Sequence, residues 1–200
     1  MDEAGMIKKT VMPAKAGISL SFFREIPACA GMTLILLLAN PAQAAPFTYT
    51  SPNCDFTAAF PEKPFIEKKC VADKCEEIAT FVHTIDSSAV NFRLSCHKVD
   101  PKDISLLTPD DLKKRLSALI KEAGLMPYAA DAAIIKDGIK TSIAMATGRR
   151  GEQDVIYTGQ MWVGKNSILT MEGEMTGPEN QKINDMYGDI LKDVQIRKTP

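Results

Sequence analysis

Histidine, aromatic side chains and any surplus of charge are scarce in this chain. It has two histidines and one tryptophan, aromatics make up 6% of it, and 24 basic residues face 25 acidic ones for a net charge of −1. Without a basic stripe there is no electrostatic footprint for nucleic acid or an anionic membrane surface. The apolar run Leu34–Ala39 is too short to span a bilayer. The chain carries no Gly-x-Ser-x-Gly elbow, phosphate loop or dinucleotide fingerprint, so the commonest hydrolase and nucleotide-binding sites are excluded. His83 and His97 stand at no metal-ligand spacing and read as ordinary sheet residues, and Cys-x4-Cys without a second close pair is not a zinc set. The sequence therefore points to no cofactor and no metal, and more to a non-enzyme than to an enzyme.

What is present begins with a leader-like N-terminus. Leu34-Ile-Leu-Leu-Leu-Ala39 runs into Asn-Pro-Ala-Gln-Ala44, the layout of a secretory signal with its small-residue cleavage site. No cysteine follows that site, which disfavours a lipid anchor. Met6-Ile-Lys-Lys-Thr-Val11 resembles the basic start of such a signal. Residues 12–33 between them resemble the translated product of dispersed palindromic DNA repeats. Removing them would join two halves of a compact signal peptide. Residues 1–44 are thus expected to be a signal region carrying an insertion at 12–33, and 45–200 one soluble α/β domain in the periplasm or outside the cell, with no transmembrane span.

Excluding Cys29 in the insertion, four cysteines remain: Cys54, Cys70, Cys75 and Cys96. An even number in an exported domain predicts two disulfides, with three pairings open. Asp55–Pro61 alternates as a first strand, and Pro61–Pro64 turns into a second at Phe65–Cys70. Cys75–Thr84 and Val90–Lys98 follow as third and fourth strands, a short antiparallel meander. In such a meander Cys54 faces Cys70, and Cys75 faces Cys96. The rival set, Cys70–Cys75 with Cys54–Cys96, would carry Cys54 across about three strand spacings, beyond disulfide reach. The meander therefore favours Cys54–Cys70 and Cys75–Cys96; a different strand order would reverse this.

Thr108 as N-cap, Pro109 at N1 and two acids in the first turn open a helix that Gly124 ends. Leu107 and Leu112 form a hydrophobic staple, and Leu112, Leu116, Leu119 and Ile120 its apolar stripe. Ala132–Ile135 reads as a short strand, Ile139–Thr147 as a longer one, and Gly148–Gln153 as a loop. Val155–Val163 and Ser167–Met175 form a hairpin. The alternation places Val155, Tyr157, Met161, Leu169, Met171 and Met175 on one face, and Ile156, Trp162 and Ile168 on the other. Apolar residues on both faces predict that both are at least partly covered. Pro178 opens a last helix with a stripe of Ile183, Met186, Tyr187, Ile190 and Leu191. Val194–Arg197 reads as an edge strand.

The segment Asp55-Phe-Thr-Ala-Ala-Phe-Pro-Glu-Lys-Pro64, one helix from Thr108, the long hairpin and a last helix into Val194-Gln-Ile-Arg197 resemble the PsbP-like α/β/α sandwich. The four-cysteine pattern and Gln160-Met-Trp-Val-Gly164 resemble, more closely, a group of small exported proteins of Gram-negative bacteria. The fold implied is α+β, a central antiparallel sheet with helices packed on its faces. The photosystem role is not carried over, because no residue set here marks it, and function does not follow from fold.

The candidate functional residues are few. Trp162, near the hairpin tip, is a candidate anchor for a partner, weighed against packing under a helix. Arg149 and Arg150 are candidates for capturing an anion or partner, weighed against a solvated turn. Glu172 and Glu174 share a strand face and would be the acid–base pair of a hydrolase, although a solvated face is the commoner arrangement. Met145, Met161, Met171 and Met175 would suit a copper or small-ligand carrier only if they converge, and their spacing fits packing better. The leading expectation is a non-enzymatic envelope module that binds or assists a protein or small ligand; the hydrolase and the carrier are the alternatives.

Overall fold

The computed structural model describes residues 45–71 and 74–197. The leader, its insertion and Cys29 lie outside the described residues.

Among the described residues, with one 3-10 turn at Lys136–Gly138, ten strands and three α-helices follow one another. They are β1 (Phe47–Tyr49), β2 (Phe56–Phe60), β3 (Phe65–Val71), β4 (Lys74–Ile85) and β5 (Ser88–Lys98), then α1 (Pro101–Leu106) and α2 (Pro109–Glu122). After these come β6 (Met126–Ile134), β7 (Lys140–Arg150), β8 (Gln153–Val163), β9 (Ser167–Thr176), α3 (Gln181–Lys192) and β10 (Val194–Ile196). Seven strands form one antiparallel sheet in the order β3-β4-β5-β9-β8-β7-β6, and β1-β2-β10 form a second, smaller one.

The small sheet corrects the expected meander. β2 pairs with β1 and β10, not with β3. Pro61–Pro64 is therefore a passage between two sheets, not a hairpin turn. Every second residue of β2 is buried, and Phe56, Ala58 and Phe60 pack over Phe81, Phe92 and Leu94 of the large sheet. Its start is tied to the β8–β9 turn: Ser167 Oγ accepts from Asp55 N–H at 2.8 Å, and Asp55 Oδ2 accepts from Asn166 N–H at 2.7 Å. Cys54 is thereby set beside the end of β5.

The disulfides follow from this geometry. They are Cys54–Cys96, with Cα atoms 5.8 Å apart, and Cys70–Cys75, with Cα atoms 4.0 Å apart. The favoured pairing of Cys54 with Cys70 and Cys75 with Cys96 is overturned. Cys54 approaches from above the sheet, so it crosses no strand spacings within it. The β3–β4 register places Cys70 directly opposite Cys75.

Residues directly opposite in a ladder share a face, and the two faces carry separate cores. On the first, Val90, Phe92, Leu94, Leu169 and Met171 meet β2 and the α3 residues Ile183, Tyr187 and Ile190. On the second, Ala144, Ala146, Val155, Tyr157, Met161, Val163 and Ile168 meet Leu112, Leu116 and Ile120 of α2. The hairpin faces were therefore misassigned by alternation alone. Val163 pairs with Ile168 and Trp162 with Leu169, so odd positions on β8 share a face with even positions on β9. The fold is sheet-dominated. Helices cover only part of each face, and Val82 of β4 stays 58% exposed.

Local sequence explains the helices. Thr108 Oγ1 accepts from Asp111 N–H, and the Asp111 carboxylate accepts from Thr108 N–H, a reciprocal capping box. Gly124, at φ +72°, closes the other end: its N–H reaches Lys121 O, and Leu125 N–H reaches Ile120 O at 3.1 Å. Leu125 is then buried over Gly148, where a Cβ would run into the leucine side chain. Asn180, not Pro178, caps α3. Removing the cap in Thr108→Ala is expected to lower the unfolding free energy by about 1 kcal/mol, read by urea denaturation. No change would show that the capping box contributes nothing to α2.

Two buried tyrosines give a pH dependence. Burial, foremost, and then the Glu172 charge and hydrogen bond raise the Tyr157 phenol above its ordinary value. Burial likewise raises that of Tyr187, whose hydroxyl donates to Gly173 O at 3.0 Å. A phenol whose folded-state value is raised binds its proton more tightly when folded. Its stabilisation is complete below the unfolded value of about 10 and is lost as pH rises past it. The urea midpoint should therefore fall between about pH 9 and about pH 11, and less steeply in Tyr157→Phe. An equal slope in that variant would contradict the assignment.

Candidate binding surface

The structure places Trp162 inside the fold. It lies opposite Thr141 and Leu169, and its ring centroid is 6.1 Å from that of Phe56. Its Nε1–H donates to Gln160 Oε1 at 3.2 Å, while Gln160 Nε2–H donates to Leu191 O at 3.1 Å. The tryptophan is half-buried beneath β2, and its indole N–H is occupied.

The expected loop at 148–153 is a tight turn, with Arg150 paired to Gln153 and Gly151 at φ +64°. Arg150 reaches across the second face. One guanidinium nitrogen donates to Ala123 O at the end of α2 (2.7 Å), and the other meets Glu174 Oε1 (2.9 Å). Cation and carbonyl match there as a helix C-terminus favours. Arg149 is exposed and donates to Glu152 O at 2.9 Å. Trp162 and the arginines are not brought together.

Glu172 and Glu174 do share a face, as their spacing implies. Together with Asn91, Arg93 and Tyr157 they line a pocket of about 150 Å³. Glu172 accepts from the Tyr157 hydroxyl at 3.1 Å, and Glu174 is paired with Arg150, so neither carboxylate is a free base. The methionines divide between faces. Met171 and Met175 belong with the first core and Met161 with the second. Met145, opposite Thr158, lies on the first. His97 Nε2 sits 3.0 Å from Glu76, and His83 Nδ1 3.5 Å from Glu62.

The surface that sequence reading missed is β6. Its nine residues, Met126–Ile134, extend well beyond the expected Ala132–Ile135. Alanine-rich sequence carries little strand propensity; pairing with β7 over nearly its whole length holds it extended. β6 is the last strand of the large sheet, so among the described residues its outer edge is unpaired. Ser142 Oγ donates to Asp131 O at 3.0 Å, which turns that carbonyl inward. The C=O and N–H of one trans peptide point opposite ways, so Ala132 N–H is aimed outward. There the Asp131 carboxylate accepts from it at 2.8 Å. Asp131 is the only charged residue of the strand. Tyr128 and Ile134 are 58% and 60% exposed, and Ile143 of β7, opposite Asp131, is also exposed.

The opposite edge, β3, is built differently. It carries Glu67, Lys68 and Lys69, with Lys69 paired to Glu67 at 2.9 Å. Charged side chains on an outer strand oppose strand addition. Of the two edges, one is guarded and the other is bare but for one aspartate. The absence of charge around Tyr128-Ala-Ala-Asp-Ala-Ala133 was the signal available in the sequence.

No helix among the described residues is long and apolar enough to cross a membrane. No family model matches this chain, and no curated protein matches it in sequence. In structure it is similar to cyanobacterial PsbP (CyanoP) from Synechocystis sp. PCC 6803, with a TM-score of 0.50 and 12% identity, over 86% of this chain and 98% of that one. At that identity the likeness is one of fold: this chain has a PsbP-like fold.

Proposed function

We propose that this protein is an exported, non-enzymatic binding or accessory module of the bacterial envelope, and that it holds an extended segment of a partner protein along β6. The contrast between the two sheet edges carries the reading. Apart from Ala132 N–H, which the Asp131 carboxylate takes, β6 offers outward backbone donors and acceptors at alternate residues, with Tyr128 and Ile134 exposed on the strand and Ile143 exposed on β7. Addition of a strand would satisfy these groups, and the exposed side chains beside them would pair with side chains of the added strand. The single acid, Asp131, favours a segment with a basic residue opposite it. The leader-like N-terminus and two disulfides support export. Trp162, engaged with Phe56, supports packing more than docking.

A synthetic nonapeptide of alternating valine and threonine with one central lysine tests this. It should bind the wild-type chain, and Ala130→Pro should weaken it at least about tenfold by removing an outer donor two residues from Ala132 on the same edge. Asp131→Lys should weaken it by placing like charges together. Unchanged affinity in Ala130→Pro, with the core intact by circular dichroism, would overturn the reading.

A further inference from the structure

The two disulfides differ in exposure. Cys54 and Cys96 are 4% and 7% exposed, within the first core. Cys70 and Cys75 are both exposed, at the end of the edge hairpin. Cys75 lines a cleft of about 920 Å³ whose walls also carry Cys96 and His97, with Lys69, Arg93 and Lys98 against Glu76 and Asp100; of the two cysteines there, Cys75 is the exposed one. His97 is held there by Glu76 at 3.0 Å. Exchange of a disulfide requires in-line access of a thiolate to one sulfur, and exposed disulfides are the labile ones. A cleft with more cations than anions raises the local concentration of an anionic reagent.

We propose that Cys70–Cys75 is a thiol-exchange site for a small anionic thiol, while Cys54–Cys96 is structural. The thiolate of the incoming molecule attacks Cys75 Sγ. The Cys70–Cys75 bond breaks, a mixed disulfide forms on Cys75, and Cys70 leaves as a thiolate that takes a proton from water. A second molecule of the thiol attacks the small-molecule sulfur of the mixed disulfide. It departs as the oxidised dimer, and Cys75 is released as a thiol. Two thiols are oxidised and one disulfide is reduced. The consequence is a β3–β4 hairpin without its covalent end.

Glutathione is the probe. The folded full chain is incubated with it, quenched in acid, alkylated and weighed intact. The expected product carries two alkyl groups, mapped to Cys70 and Cys75, with Cys54–Cys96 retained and opening at least about tenfold more slowly. Lys69→Glu should slow the reaction with glutathione about threefold and leave the reaction with neutral mercaptoethanol unchanged. The Cys70→Ser/Cys75→Ser double variant should consume no glutathione under the same conditions. Four alkyl groups appearing together, opening of Cys54–Cys96 first, or no opening short of unfolding would overturn the exchange site. An equal effect of Lys69→Glu on both thiols would overturn the preference for an anionic one.

Discussion

Replacing Cys54 and Cys96 together by alanine should lower the unfolding free energy by about 4 kcal/mol at 25 °C. That value is the loop-closure entropy released to the unfolded chain by a 42-residue link. The melting temperature should fall by roughly 8–16 °C in a domain of this size. The same double replacement at Cys70 and Cys75 closes a link of only 5 residues and should cost about 2 kcal/mol. The order of the two effects matters more than either size. Cys54–Cys96 fastens the start of the small sheet to the end of β5, whereas Cys70–Cys75 fastens a hairpin to itself. Urea denaturation of the two double variants checks this. Equal losses, or a larger loss at Cys70 and Cys75, would contradict the structural role given to the buried disulfide.

Phe92→Ala should be as damaging, at about 3–5 kcal/mol. Its side chain is fully buried, its ring lies 5.2 Å from that of Tyr187, and it fills the space over Gly173, where a Cβ would stand 2.6 Å from it. On the other face, Leu116→Ala in α2 should cost about 2–5 kcal/mol. The two residues belong to separate cores. Their losses in the double variant should therefore add to within about 0.5 kcal/mol. A large coupling would mean that the sheet does not separate the cores.

The elements most legible in the sequence are those whose signals are local. Thr108, Asp111 and Gly124 fix both ends of α2 through their own backbone neighbours, and Leu112, Leu116 and Ile120 mark its buried stripe. Positions of β3, β4, β5, β8 and β9 follow from alternation and turns. What stayed hidden depends on distant partners. Nothing within Asp55–Pro61 says that it pairs with β1 and β10, so the meander and its disulfide pairing failed together. The faces of the β8–β9 hairpin failed for want of one fact, the register of Val163 with Ile168. α1 was missed although Asp100, whose side chain accepts from Lys102 N–H at 2.8 Å, and Pro101 supply its start. Of the candidate site, Trp162, Arg149 and Arg150 were conspicuous as residue types, yet the structure gives each a partner within the chain. β6 was inconspicuous because its character is an absence of charge.

The central claim is that β6, and not β3, is the edge on which another strand is laid. Residue-resolved amide hydrogen exchange with the lysine-bearing nonapeptide tests it most directly. The account predicts slowed exchange at Ala130 and Ile134, the outward amides on either side of Ala132 in β6, with no change along Phe65–Val71. Slowed exchange along β3, or none in β6 at saturating peptide, would contradict it.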